Sequence, residues 1–94
     1  MSAPIARTLR ALSDLGVGSE GTVWGLGVLE GEARVWLRAL GIFEGQSLRL
    51  LRRAPFGGPY HVRVGGAEGA LGEFAIDPSL ASGITLEARA SVTP

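Results

Sequence analysis

Glycine sets the tightest limit on what this chain can become: 15 of its 94 residues are Gly, and five more are Pro. Average usage is about 7% glycine, so the excess is roughly twofold. Glycine weakens helix interiors and supplies the positive φ angles that tight turns require. A chain with this much of it favours many short strands joined by turns over a helical bundle.

The rest of the composition narrows the options. There is no Cys, which excludes disulfides, thiolate catalysis and Cys-type zinc or iron–sulfur sites. A domain of this length buries roughly 60–68% of the surface its unfolded chain exposes. That is one modest core, held by packing alone. Hydrophobic content of 46% and charged content of 19% suit a folded globule. Nine basic and nine acidic residues balance to zero, and no Lys is present. Proteins that grip phosphate backbones show a basic excess, so no nucleic acid is expected as partner. Residues Met1 to Ala6 lack a charged start followed by an apolar run, and no stretch is long enough to span a bilayer. The expected location is the cytoplasm, without direct membrane insertion.

Local patterns organise residues 8–89 into a single expected domain, with 1–7 and 90–94 as loose termini. Thr8 is positioned to cap a short turn running to Leu15, with Leu9 and Leu12 as its apolar contacts. The run Gly16 to Gly21 reads as a turn. Thr22 to Val28 reads as a strand in which Gly25 and Gly27 mark a bulge or a close backbone approach. Ala33, Trp36, Leu37 and Leu40 fall at i, i+3, i+4 and i+7 and predict one helix, with Trp36 packed in the core. Arg34 and Arg38 lie on the opposite side, and Glu30 stands four residues before Arg34. Gly41 is expected in a left-handed cap.

Four further segments carry strand signals. In Ser47 to Arg53, Leu48 and Leu50 point one way and Arg49 the other, until Leu51 breaks the alternation, so that either the pattern slips or both faces are covered. Ala54 to Pro59 is a loop. Tyr60, Val62 and Val64 then share one face of a strand, and His61 and Arg63 the other. A glycine-rich turn region, Gly65 to Gly72, leads to a short strand, Glu73 to Ile76. Asp77 and Pro78 start one helical turn through Ala81. Ile84, Leu86 and Ala88 face the core from the last strand. This is a mainly β chain with one short helix, and about five strands fit a small, partly open β-barrel.

Catalytic chemistry finds no foothold. There is no Gly-x-Ser-x-Gly motif and a single His without a Ser partner. Gly25-Leu26-Gly27 with Glu30-Gly31 has the wrong spacing for a dinucleotide fingerprint. The chain is therefore expected not to be an enzyme. His61 lies on an outer strand face beside Arg63 and the carboxylates are scattered, so no metal cofactor is expected within one chain. Ferrous iron or another divalent metal at a weak site, or one shared between copies of a homo-oligomer, stays open.

The order of three segments carries a family resemblance. The run Leu40-Gly41-Ile42-Phe43-Glu44-Gly45, then Leu48 through Pro59 with its Arg52-Arg53-Ala54-Pro55-Phe56-Gly57-Gly58-Pro59 end, then Val62-Arg63-Val64, resembles the centre of the FeoA family. The family pattern is a helix ending in Leu or Met, Gly and an aliphatic residue, then a strand, an Arg/Ala-Pro-aliphatic-Gly-x-Pro loop and a second strand. Leu12-Ser13-Asp14-Leu15, with Gly18 and Gly21, resembles the family's opening segment. The likeness covers Leu12 to Glu87. Trp36 and Arg38 depart from it, as does the long glycine-rich stretch from Gly65 to Gly72. The resemblance implies an SH3-like barrel that assists the ferrous-iron permease FeoB at the cytoplasmic face of the membrane, and a family-level link to transition-metal ions. Similar domains close the chains of DtxR-type metal-dependent repressors. With no helix-turn-helix segment ahead of the barrel, a stand-alone protein is the expectation.

SH3-type barrels hold extended peptides with exposed aromatic and proline residues. That makes Pro55, Phe56, Pro59 and Tyr60 candidate partner contacts, unless Phe56 folds back on the core. Arg52 and Arg53 suit an acidic patch or a phosphate, unless they are simply solvated. Two other readings stay in view: a peptide-binding adaptor with a different partner, and a small-barrel nucleic-acid binder. The latter requires Arg49, Arg52, Arg53 and Arg63 to cluster on one face.

Overall fold

The computed structural model describes residues 8–27, 29, 31–65, 69 and 71–88. The two expected loose termini, Val28, Glu30 with its pairing to Arg34, and half of the glycine-rich run lie outside the described residues.

Six strands make up one antiparallel sheet: β1 (Thr8–Ala11), β2 (Glu20–Gly25), β3 (Ser47–Arg53), β4 (Tyr60–Val64), β5 (Gly72–Ile76) and β6 (Thr85–Ala88). Their order is β1-β6-β2-β3-β4-β5. No ladder joins β1 to β5 among the described residues, so the sheet is not closed. A helix, α1 (Glu32–Ala39), is inserted between β2 and β3, and a single turn, α2 (Pro78–Ala81), between β5 and β6.

Alternation decides which face is buried. Val23, Leu48, Leu50, Val62, Val64, Ile76 and Leu86 all point inward and are buried, while Arg49, Arg63 and Glu73 point out. Each such apolar side chain contributes about 1.5–3 kcal/mol on burial. Leu12, Leu15, Leu26, Leu37, Ile42, Ala81 and Ile84 complete the core from turns and helices. Close strand packing also needs a residue without a side chain at Gly21. A Cβ there would lie 3.1 Å from both the Glu87 carbonyl oxygen and the Leu86 Cβ.

The break at Leu51 is a bulge. Leu50 pairs with Val62, but the next partner pair is Arg52 with His61. Leu51 is the extra residue, and the inward-outward alternation is reset beyond it. As a result Arg52 and Arg53 are both exposed at the end of β3. A second irregularity, between Val23 and Gly25 on β2 against β6, falls at Trp24.

The end of α1 follows the sequence. Gly41 has φ 91°. Its N–H donates to the Arg38 carbonyl at 2.9 Å, and the Ile42 N–H to the Leu37 carbonyl at 2.9 Å. This paired closure is a Schellman motif, with Leu37 and Ile42 supplying the buried apolar contact. Asp77 caps α2, accepting from the Ser79 N–H at 3.3 Å.

Two expectations are corrected. The segment from Thr8 is not a capped turn: Thr8–Ala11 is a strand, and only Leu12–Asp14 makes a 3-10 turn. Thr8 to Ala11 pair with Ala88 to Thr85, so a partner 74 to 80 residues away fixes this segment. Trp36 is not in the core, since 45% of it is exposed. The helix packs by a narrow line, with Leu37 buried and Ala33 and Leu40 half-buried beside it. Trp36 is one residue, a rotation of about 100°, from Leu37, which places it at the rim.

Candidate functional site

The β3–β4 hairpin carries the predicted site. Its tip is a four-residue turn, Pro55 to Gly58, whose two central residues have positive φ: 60° at Phe56 and 72° at Gly57. The Gly58 N–H donates to the Pro55 carbonyl at 3.2 Å, and the Ala54 N–H to the Pro59 carbonyl at 3.0 Å. Two positive φ values with this bond mark a type I′ turn, the kind whose twist matches paired antiparallel strands. Only glycine fits at position 58, where a Cβ would lie 2.7 Å from the Ala54 Cβ.

Phe56 departs from turn chemistry. Type I′ turns select Asn, Asp or Gly at the first central position. A left-handed L-residue costs about 1–2 kcal/mol, and a bulky aromatic there is an outlier. The side chain recovers nothing by packing, because it is fully exposed, at 104%. Phe56 does not fold back on the core.

The six predicted contact residues divide into two groups. Arg52, Pro55, Phe56 and Pro59 are exposed together at the tip. Arg53 and Tyr60 form its base. The Arg53 Nη2 donates to the Ser13 carbonyl at 3.2 Å and to the Leu15 carbonyl. Its guanidinium also lies over the Tyr60 ring, 5.7 Å from the centroid. Tyr60 in turn packs against the core. Arg53 therefore ties the hairpin to the 3-10 turn, a role its sequence position does not reveal.

The wider arginine set does not form one basic face. Arg49 and Arg63 are opposite each other on β3 and β4. Glu20 is opposite Arg49, and Glu73 opposite Arg63. Across the outer face the row reads acid, base, base, acid, and the Arg63–Glu73 pair is closed at 3.0 Å. Beside it, Leu51, Arg52, His61, Glu73, Phe74 and Ala75 line an open depression of about 610 Å³. No group of three or more His, Cys, Asp or Glu side chains comes together to hold a metal among the described residues. No helix among them is long and apolar enough to cross a membrane.

A second surface escaped the sequence reading. Val35 is 70% exposed and joins Trp36, Gly31, Glu32 and Ala39 around a shallow, nearly apolar depression of about 580 Å³ on α1. Val35, an apolar residue between Arg34 and the stripe, was its one available signal. Nearby, Arg38 lies over the Phe43 ring, 6.0 Å from the centroid, and Arg34 pairs with Glu44 at 3.2 Å.

Comparison with known proteins places this architecture. The FeoA domain profile matches residues 10–88. No curated protein sequence matches. Among solved structures, an iron uptake regulatory protein (FeoA) is 30% identical with a TM-score of 0.72, over 87% of this chain and 100% of that one. FeoA from Chlorobium tepidum is 30% identical with a TM-score of 0.74, over 89% of this chain and 74% of that one. Zinc-complexed FeoA from Stenotrophomonas maltophilia, described as a prokaryotic SH3 domain protein, is 26% identical with a TM-score of 0.65, over 82% of this chain and 88% of that one. A manganese-dependent transcriptional repressor, 20% identical, shares the fold through 44% of its length. With the profile covering most of the chain and the SH3-like sheet in place, this protein belongs to the FeoA family, small accessory domains linked to ferrous iron transport.

Proposed function

We propose that this protein regulates ferrous iron uptake by binding the cytoplasmic region of a FeoB-like permease through the tip of its β3–β4 hairpin, acting by association and not by catalysis. The observation that carries the reading is Phe56, fully exposed on a turn whose backbone disfavours it. Strain of this kind persists where the surrounding structure over-determines it, and it clusters at binding sites. The family's link to ferrous iron transport supplies the setting.

Arg52, Pro55, Phe56 and Pro59 would make the contact, with Arg53 and Tyr60 holding the hairpin in place. An aromatic anchor ringed by polar groups is the usual composition of an interface centre. Binding would change transport by favouring one state of the permease, which requires a higher affinity for that state. The nucleic-acid reading loses ground to the acid–base–base–acid row, which leaves no continuous basic groove on the outer face.

The test is a titration of the folded protein against the isolated cytoplasmic domain of a FeoB-like permease from the same organism. The parent protein should bind saturably, Phe56→Ser should weaken binding about tenfold or more, and Trp36→Ser should leave it unchanged. Equal binding by parent and Phe56→Ser would move the site off the hairpin.

A further inference from the structure

We infer that the β3–β4 hairpin is also a peripheral membrane contact: its tip docks on an anionic lipid surface, with Phe56 entering the headgroup layer and arginines collaring it. The inference rests on the same reading of the hairpin as the docking element, but assigns it a second partner that needs no protein.

Charge is the first argument. The chain is neutral overall, yet residues 47–64 hold four Arg and one His and no Asp or Glu. Arg49 and Arg63 are offset by the flanking glutamates. The surplus therefore sits on Arg52 beside the tip and on Arg53 at its base. Neither is ion-paired among the described residues, and the hydrogen-bond partners of Arg53 are carbonyl oxygens, which leave its charge intact. Polybasic surfaces are attracted to anionic leaflets within a Debye length.

Backbone chemistry is the second. Entering an apolar layer is costly for any N–H or C=O group left without a partner. At this tip Pro55 and Pro59 carry no N–H, and the Ala54 and Gly58 N–H groups are bonded to the Pro59 and Pro55 carbonyls. The Phe56 and Gly57 N–H groups at the apex are the ones left to hydrogen-bond water or lipid phosphate, which sets the depth of contact at the polar headgroup layer and not the hydrocarbon core. Its shape is the third argument, because Phe56 projects from a convex turn instead of lining a groove, and lipid adapts to such a shape without a preformed pocket. Tyr60 lies behind it with Arg53 over its ring, an aromatic with a polar end of the sort enriched at membrane interfaces.

The test uses the full chain and protein-free vesicles in a sedimentation assay. Vesicles of phosphatidylcholine with roughly a third phosphatidylglycerol should carry the protein down at low salt, whereas pure phosphatidylcholine should not. Phe56→Ser should weaken binding about tenfold, and Arg52→Glu by more than about fivefold. Trp36→Ser should have no effect. Phe56→Trp should show a blue shift in its added fluorescence on the anionic vesicles. Absence of binding to anionic vesicles, or binding indifferent to both hairpin variants, overturns the inference. Binding to the isolated permease domain without vesicle binding removes the lipid contact and keeps the permease reading. Vesicle binding without permease-domain binding does the reverse.

Discussion

Phe56→Asn should make this protein more stable, which is unusual for replacing an aromatic residue. The native φ of 60° is followed by 72° at Gly57. A left-handed backbone costs an ordinary L-residue about 1–2 kcal/mol. Asn tolerates this region and, with Gly after it, forms the preferred type I′ pair. The lost side chain forfeits no burial, since Phe56 is completely exposed. The expected gain is about 1 kcal/mol, or a Tm increase of roughly 4–8 °C for a domain of this size. Phe56→Gly should gain less, because glycine's greater freedom in the unfolded chain offsets about 0.5–1 kcal/mol of the relief. Phe56→Val should lose stability, as β-branched residues are the least suited to positive φ. Urea unfolding reads all three, through shifts in midpoint at constant slope. A lower midpoint for Phe56→Asn would refute the reasoning, because it would mean that the aromatic ring packs or that the turn is not type I′. Together with weakened binding, the predicted gain would mark Phe56 as a residue kept for function at a cost in stability.

Three further substitutions probe the frame that holds the tip. Arg53→Ala should destabilise by about 1–2 kcal/mol in denaturant unfolding through loss of its bonds to the Ser13 and Leu15 carbonyls, while Arg52→Ala should change the unfolding free energy by under about 0.5 kcal/mol. Leu50→Ala, in the centre of the core, should cost about 3 kcal/mol in denaturant unfolding. Gly41→Ala should cost at least about 1 kcal/mol by the same measurement, because a Cβ there lies 2.9 Å from Leu71 Cδ1 and 3.3 Å from Val64 Cγ1 in a left-handed backbone.

Much of the fold was readable because short-range patterns decide it. Val62 and Val64 alternate with His61 and Arg63, so β4 has one orientation that buries its apolar side. Leu48 and Leu50 do the same for β3, and of the two readings open at Leu51 the register shift decides for the slip. Gly41 and Asp77-Pro78 announce helix ends because the backbone conformation there restricts residue type. What the sequence hid depends on distant partners. β1 exists because Thr8–Ala11 finds β6, and nothing local in Thr-Leu-Arg-Ala signals a strand. Trp36 shares a helical stripe with Leu37, but how far around the helix the core reaches is set by the sheet beneath it. Periodicity gives the direction of the stripe and not the width of its buried part.

The candidate site shows the same division. A loop rich in Pro and Gly between two strands is legible, and its exposure follows from that. The positive φ at Phe56 is not, because the residue type argues against it. Arg52 and Arg53 are adjacent and chemically identical, and only the structure separates an exposed cation from one fastened to a turn 38 to 40 residues earlier.

The most direct test of the central claim is to map the contact on this chain itself. Backbone amide shifts of the labelled protein would be followed by NMR as the cytoplasmic domain of the FeoB-like permease is added. The account predicts that the largest changes fall on residues 52–60, with the α1 surface around Val35 and Trp36 unmoved. Changes concentrated on Val35, Trp36 and Ala39, with the hairpin silent, would contradict it and identify the helix face as the docking surface.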